Sequence, residues 1–185
     1  MTIALRPILP WHATRRCLHT LIKFAHVALM MLSVAIGCQP AVAANKVDSG
    51  LIVSANLRKD LAQVPKQGAL LLVVAMSHGC HFCDIVKQNY IRHLPNDPRY
   101  KGRVVIRLVN LDQSELLVGF DGKASTHRSV ALALGAKAAP TLFFLNSRGA
   151  VIGDPLVGGD GSGFYAAYLE AGLDRILGAP AEGGR

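Results

Sequence analysis

Ala69-Leu70-Leu71-Leu72-Val73-Val74-Ala75-Met76, the short turn Ser77-His78-Gly79, and Cys80-His81-Phe82-Cys83 form the stretch that decides the fold. Eight residues without a polar interruption fit a central strand covered on both faces, as parallel strands of α/β sheets are. The two thiols stand where that strand hands over to a helical pattern, with apolar residues at Phe82, Ile85, Val86, Tyr90, Ile91 and Leu94 and a stop at Pro95. Cysteines separated by two residues at such a junction can close to a disulfide and reopen.

Outward from this core, residues 1–43 read as an address rather than as structure. Arg6, Arg15, Arg16 and Lys23 lead into an apolar run from Phe24 to Ile36 and then into Ala41-Val42-Ala43, whose small first and third residues suit a signal peptidase. Cleavage is expected between Ala43 and Ala44. The apolar run falls short of the roughly 20 residues a spanning helix needs, so an uncleaved membrane anchor is the lesser alternative. Gly37-Cys38 is a poor lipid-attachment site because Ala35 replaces the usual Leu, and Arg15-Arg16 gives only a hint of twin-arginine export.

Four of the 20 basic residues and none of the 12 acids lie in this segment, so the formal charge of +8 falls to +4 without it. The basic balance is therefore largely a targeting effect, and nucleic-acid binding loses its main support. Residues 44–178 suit one domain with a sizeable core, and 179–185 read as a disordered tail. Cys17 and Cys38 would leave with the leader. The pair Cys80 and Cys83 is then a redox centre or a metal clip, not part of a disulfide-stapled scaffold.

Along the rest of the chain, 45–54 reads as extended, with Ser54 as a cap for a short helix through Gln63. A second buried strand covers 103–109, an insertion loop with room for a turn of helix 113–123, and a helix 125–134. Residues 141–145 and 150–152 read as an antiparallel hairpin, and 164–177 as a closing helix whose Phe164, Tyr165 and Tyr168 pack on the sheet. Gly158, Gly159, Gly161 and Gly163 lack the context of a phosphate loop and read as a flexible connection. The order predicts an α/β protein with a central mixed sheet flanked by helices.

Disulfide exchange proceeds by thiolate attack on sulfur, so the attacking cysteine must be exposed and partly ionised. Cys80, at the helix start, is the better nucleophile, and Cys83, one turn in, is placed to resolve the mixed disulfide. His81, when protonated, can stabilise the thiolate, and Phe82 is expected to be half exposed on an apolar docking rim. A copper or zinc site from His78, Cys80, His81 and Cys83 would be strained within one short turn. Haem attachment would need His after the second cysteine, where Asp84 stands. His93 and His127 read as surface residues.

A dithiol at a strand-to-helix junction, followed by Ala139-Pro140-Thr141 opening the strand Leu142-Phe143-Phe144-Leu145 and by a turn at Gly149, resembles the thioredoxin superfamily. The long segment between motif and proline and the exported context are similar to periplasmic thioredoxin-like proteins of the SoxW type. The resemblance spans about Leu51 to Leu177. It implies a thioredoxin-like three-layer fold, a cis bond before Pro140, and a groove in which the Ala139 backbone pairs with a substrate strand. It also implies a periplasmic thiol-disulfide oxidoreductase, with no cofactor beyond the redox-active Cys80–Cys83 disulfide. The expected partners are protein thiols and disulfides together with a membrane or periplasmic electron-transfer protein. The expected state is a monomer.

Three departures from the family bear on direction. Gly79 replaces the thioredoxin Trp, His81-Phe82 replaces Gly-Pro, and Val74 stands where thioredoxins bury an acid. Without that acid to help deprotonate Cys83, an oxidising or isomerising character competes with reduction of a dedicated partner. A non-enzymatic metal carrier or redox-sensing adaptor on the same fold is the alternative.

Overall fold

The computed structural model describes residues 46–161 and 163–178. The expected leader, its two cysteines and the expected tail lie outside the described residues.

Strand β3 (Ala69–Ala75) is buried at every position, and its side chains alternate between two separate cores. Ala69, Leu71, Val73 and Ala75 enter one, while Leu70, Leu72 and Val74 enter the other. Each fully buried Leu or Val contributes on the order of 2 kcal/mol of gross hydrophobic free energy, so this one strand anchors both layers. β4 (Val104–Asn110) runs parallel beside it, from Ala69 opposite Val104 to Ala75 opposite Asn110.

β1 (Lys46–Asp48) and β2 (Leu51–Val53) form a hairpin, with β2 parallel to β4. On the other side β7 (Thr141–Asn146) runs antiparallel to β3, and β8 (Leu156–Val157) antiparallel to β7. The sheet order is β1-β2-β4-β3-β7-β8. The result is a mixed central sheet flanked by helices.

Helix α1 (Leu57–Ala62) and helix α3 (His127–Ala133) cover the face that holds Val74, through Leu57, Val130 and Ala131. The opposite face is covered by α2 (His81–Ile85) and α4 (Tyr165–Leu177). α2 widens into a π-helical turn at Val86–Tyr90 and tightens into a 3-10 turn at Ile91–Asn96. Thiols and closing helix therefore share one layer.

Several expectations change. Asn56, not Ser54, caps α1, accepting a hydrogen bond from the Lys59 amide at 2.9 Å, while the Ser54 hydroxyl donates to buried Asp60 at 2.6 Å. Residues 113–123 are not a simple loop, because β5 (Leu116–Val118) pairs with β6 (Ala124–Thr126) in a separate hairpin. This shortens α3 at its start, where Thr126 is the cap. In the expected 150–152 strand only Val151 bridges to β7, and the continuous partner comes later, in β8.

Two aromatic assignments also reverse. Phe164 and Tyr168 are each 62% exposed, and only Tyr165 of the expected stripe joins the core. His127 is 2% exposed rather than a surface residue. Its Nδ1 accepts from the Asn110 amide at 3.4 Å, because α3 packs on the end of β4.

Candidate active site

Beyond Ala75 the chain must turn sharply to start α2, and Gly79 does so at φ 68°, a left-handed conformation that side chains other than glycine adopt at a cost. The turn is held from β4's end. Asp112 accepts from the Ser77 amide at 2.9 Å and from its hydroxyl at 2.6 Å. Burial pushes the Asp112 carboxyl up, but these hydrogen bonds outweigh it and hold the group below its ordinary value. The Ser77 hydroxyl also lies 3.0 Å from Nδ1 of exposed His78.

Cys80 is the N-cap of α2. Its sulfur accepts a hydrogen bond from the Cys83 amide at 3.2 Å, the role an Asp or Ser oxygen plays in ordinary caps. Cys80 is partly exposed, whereas Cys83 is fully buried, and the two are joined in a disulfide with Cα atoms 5.2 Å apart. The outer sulfur is the one a second molecule can reach.

The Ala139–Pro140 peptide is cis and opens β7 beside the dithiol. The Cys80 sulfur lies 3.9 Å from the Ala139 carbonyl oxygen, which brings together residues 59 apart in sequence. Ala139 is half-buried and Pro140 buried, with the Pro140 carbonyl accepting from the Gly158 amide at 2.8 Å. Phe82 is 53% exposed, and its ring closes on Gly159. A Cβ at that glycine would come within 2.5 Å of the Phe82 ring. His81 is exposed on the first turn of α2, its ring centroid 5.8 Å from that of Phe82.

Val74 is fully buried in the core beneath α1 and α3, so the dithiol layer receives no carboxylate from that position. The buried acid in that second core is Asp60, committed to Arg107 at 2.6 Å and to Ser54. Among the described residues no three His, Cys, Asp or Glu side chains gather as a metal-ligand set. No helix of the described residues is long and apolar enough to cross a membrane.

The Ser77–Asp112 clamp and the contact of Phe82 with Gly159 were not read from the sequence. Neither spacing nor composition signals them, since each joins a motif residue to a loop that only the folded sheet brings near.

The thioredoxin-like domain family matches residues 57–171 of the chain. No curated protein sequence matches it. Among solved structures, mitochondrial thioredoxin 3 from Saccharomyces cerevisiae is 18% identical, covering 66% of this chain and 93% of that one at a TM-score of 0.44. A thioredoxin-fold protein from Helicobacter pylori is 22% identical, covering 64% and 77% at a TM-score of 0.45. A DsbH oxidoreductase is 15% identical, covering 77% and 92% at a TM-score of 0.45.

Proposed function

The chain belongs to the thioredoxin-like family, and on that premise we propose that it is a thiol-disulfide oxidoreductase in which Cys80 attacks and Cys83 resolves. One observation carries the reading: a partly exposed sulfur caps a helix, takes the Cys83 amide hydrogen bond at 3.2 Å, and lies beside the Ala139–Pro140 cis peptide. An N–H aimed at sulfur favours its anion, and the anion is the nucleophile.

In the reducing direction the Cys80 thiolate attacks a substrate disulfide, forming one S–S bond and releasing one substrate thiolate. The Cys83 thiolate then attacks the Cys80 sulfur, closing the internal disulfide and releasing the second substrate thiolate, which takes up a proton. Two electrons pass to the substrate. Run backwards, the same steps transfer the disulfide outward. Burial of Cys83 supports its role as resolver, because a bulky disulfide reaches Cys80 first.

The reading extends to export by residues 1–43 and to work in the periplasm as a monomer, in the manner of SoxW-type proteins. There the pair would exchange with protein thiols and with a membrane or periplasmic electron-transfer partner. Ala139, Pro140 and Phe82 would line the substrate groove, and His81 would favour the thiolate when charged. With Val74 in place of an acid, the oxidising or isomerising direction is the one we favour.

Cys80→Ser abolishes insulin-disulfide turnover in this reading, and Cys83→Ser accumulates a mixed disulfide on Cys80. Turnover surviving in Cys80→Ser would overturn it. Equilibration of residues 44–185 with glutathione buffers decides direction, with about −270 mV marking a reductant and about −120 mV an oxidant.

A further inference from the structure

The glycine-rich passage before α4 is anchored rather than loose. The Tyr90 hydroxyl, on the π-helical turn that continues α2, donates to the Asp160 carboxylate, joining residues 70 apart in sequence. Asp160 also accepts from the Gly163 amide at 2.6 Å, which turns the chain toward α4. On the near side Gly159 lies under the Phe82 ring, and the Gly158 amide donates to the Pro140 carbonyl. Three parts of the site thus meet on one short segment: the dithiol helix, the cis-proline turn and the approach to the closing helix.

We propose that Asp160 is a positioning residue, a latch that holds Gly158–Asp160 against Tyr90 and Phe82 and so fixes one wall of the groove that docks a protein disulfide. The proposal rests on the oxidoreductase reading for its functional consequence, while the latch itself is a property of the fold. Glycines at 158 and 159 suit this wall. The lack of a side chain at 159 lets the backbone approach the Phe82 ring, but it also leaves the segment free to wander unless something ties it down. The tie is a hydroxyl-to-carboxylate bond, of the stronger, charge-assisted kind. Its hydrogen bond to Asp160, followed by burial and the neighbouring charge, raises the Tyr90 hydroxyl above its ordinary value, so it stays a donor at neutral pH.

The wall acts on docking and not on sulfur, because Asp160 bonds to the Tyr90 hydroxyl and the Gly163 amide, and the segment it holds meets the site at Phe82 and Pro140. Loosening it raises KM for a protein disulfide and leaves the chemical step in place. Tyr90→Phe keeps the ring packed against Tyr165, whose centroid is 4.9 Å away, and removes only the hydroxyl. In Tyr90→Phe and in Asp160→Asn, exchange of the Gly158 amide, which is bonded to the Pro140 carbonyl, is expected to quicken about ten-fold. KM for insulin is expected to rise about five-fold with kcat within about two-fold, and the double variant to add nothing further.

Unchanged exchange in both variants, effects that add in the double variant, or a loss confined to kcat would overturn the latch. A wild-type chain inert toward every disulfide would instead remove the oxidoreductase reading. The exchange measurement needs no substrate and still decides whether Asp160 holds the segment.

Discussion

At the scale of single residues, His127 ties stability to pH. Burial lowers its proton affinity below the ordinary histidine value, and Lys46 acts in the same direction while Glu115 opposes it. Its Nδ1 must stay unprotonated to accept from the Asn110 amide. The unfolded chain takes up a proton near pH 6.5 that the folded chain resists, so stability is full above that pH and declines as pH falls below it. The loss attributable to this group approaches about 1.4 kcal/mol per pH unit until the folded protein also protonates. Urea midpoints from pH 7.5 to 5.5 should therefore fall more steeply in the native chain than in His127→Gln. Equal slopes would show that His127 is not the source.

The same histidine marks a limit of sequence reading. Its neighbours Thr126, Arg128 and Ser129 are polar, and nothing local distinguishes it from exposed His93. Cys80 and Cys83 were legible because their chemistry follows from spacing. The partial exposure of one and full burial of the other come from folding.

At the scale of elements, the caps decide where short helices begin. α1 has only six residues, too few to stand on propensity alone, so the Asn56 side chain that satisfies the Lys59 amide matters. Asn56→Ala is expected to cost about 1 kcal/mol in thermal or urea unfolding, while Ser54→Ala acts instead through Asp60. A silent Asn56→Ala would remove the cap from the account of α1. The same logic makes Cys80→Ser a clean probe. Serine is itself a good cap, so lost turnover in that variant cannot be blamed on an uncapped α2.

Strand β3 was legible because burial on both faces leaves a continuous apolar run. α4 was legible as a helix but not in its orientation. Two stripes compete for it, Phe164 at its N-cap with Tyr168, and Tyr165 with Leu169, Leu173 and Leu177, and spacing by four fits both. The sheet selects the second. β5 and β6 were missed because three residues each are too short to show a period.

At the scale of the whole molecule, the second core carries one charged cluster whose integrity is a global matter. Arg107 lies on a central strand and donates to Asp60 at 2.6 Å, to the Gln63 side chain at 2.8 Å and to the Ile106 carbonyl at 2.8 Å. Removing one partner leaves the other charge buried. Asp60→Ala is expected to destabilise by about 3–5 kcal/mol, and Asp60→Leu with Arg107→Met by clearly less than the single changes together. Additive losses in equilibrium unfolding would show that the two charges do not act as a pair.

The sequence by itself determined the central strand, the dithiol that follows it, the order of the main elements and the family they resemble, because each is written in contiguous residues. Tertiary structure alone decided that Cys80 meets the Ala139 carbonyl, that Asp112 holds the turn before the dithiol, and that Asp160 reaches Tyr90. These contacts join segments 35 to 70 residues apart. They form only when the two cores pack around β3 and bring the loops at the thiol end together, and that summed packing energy has no local signature in the chain.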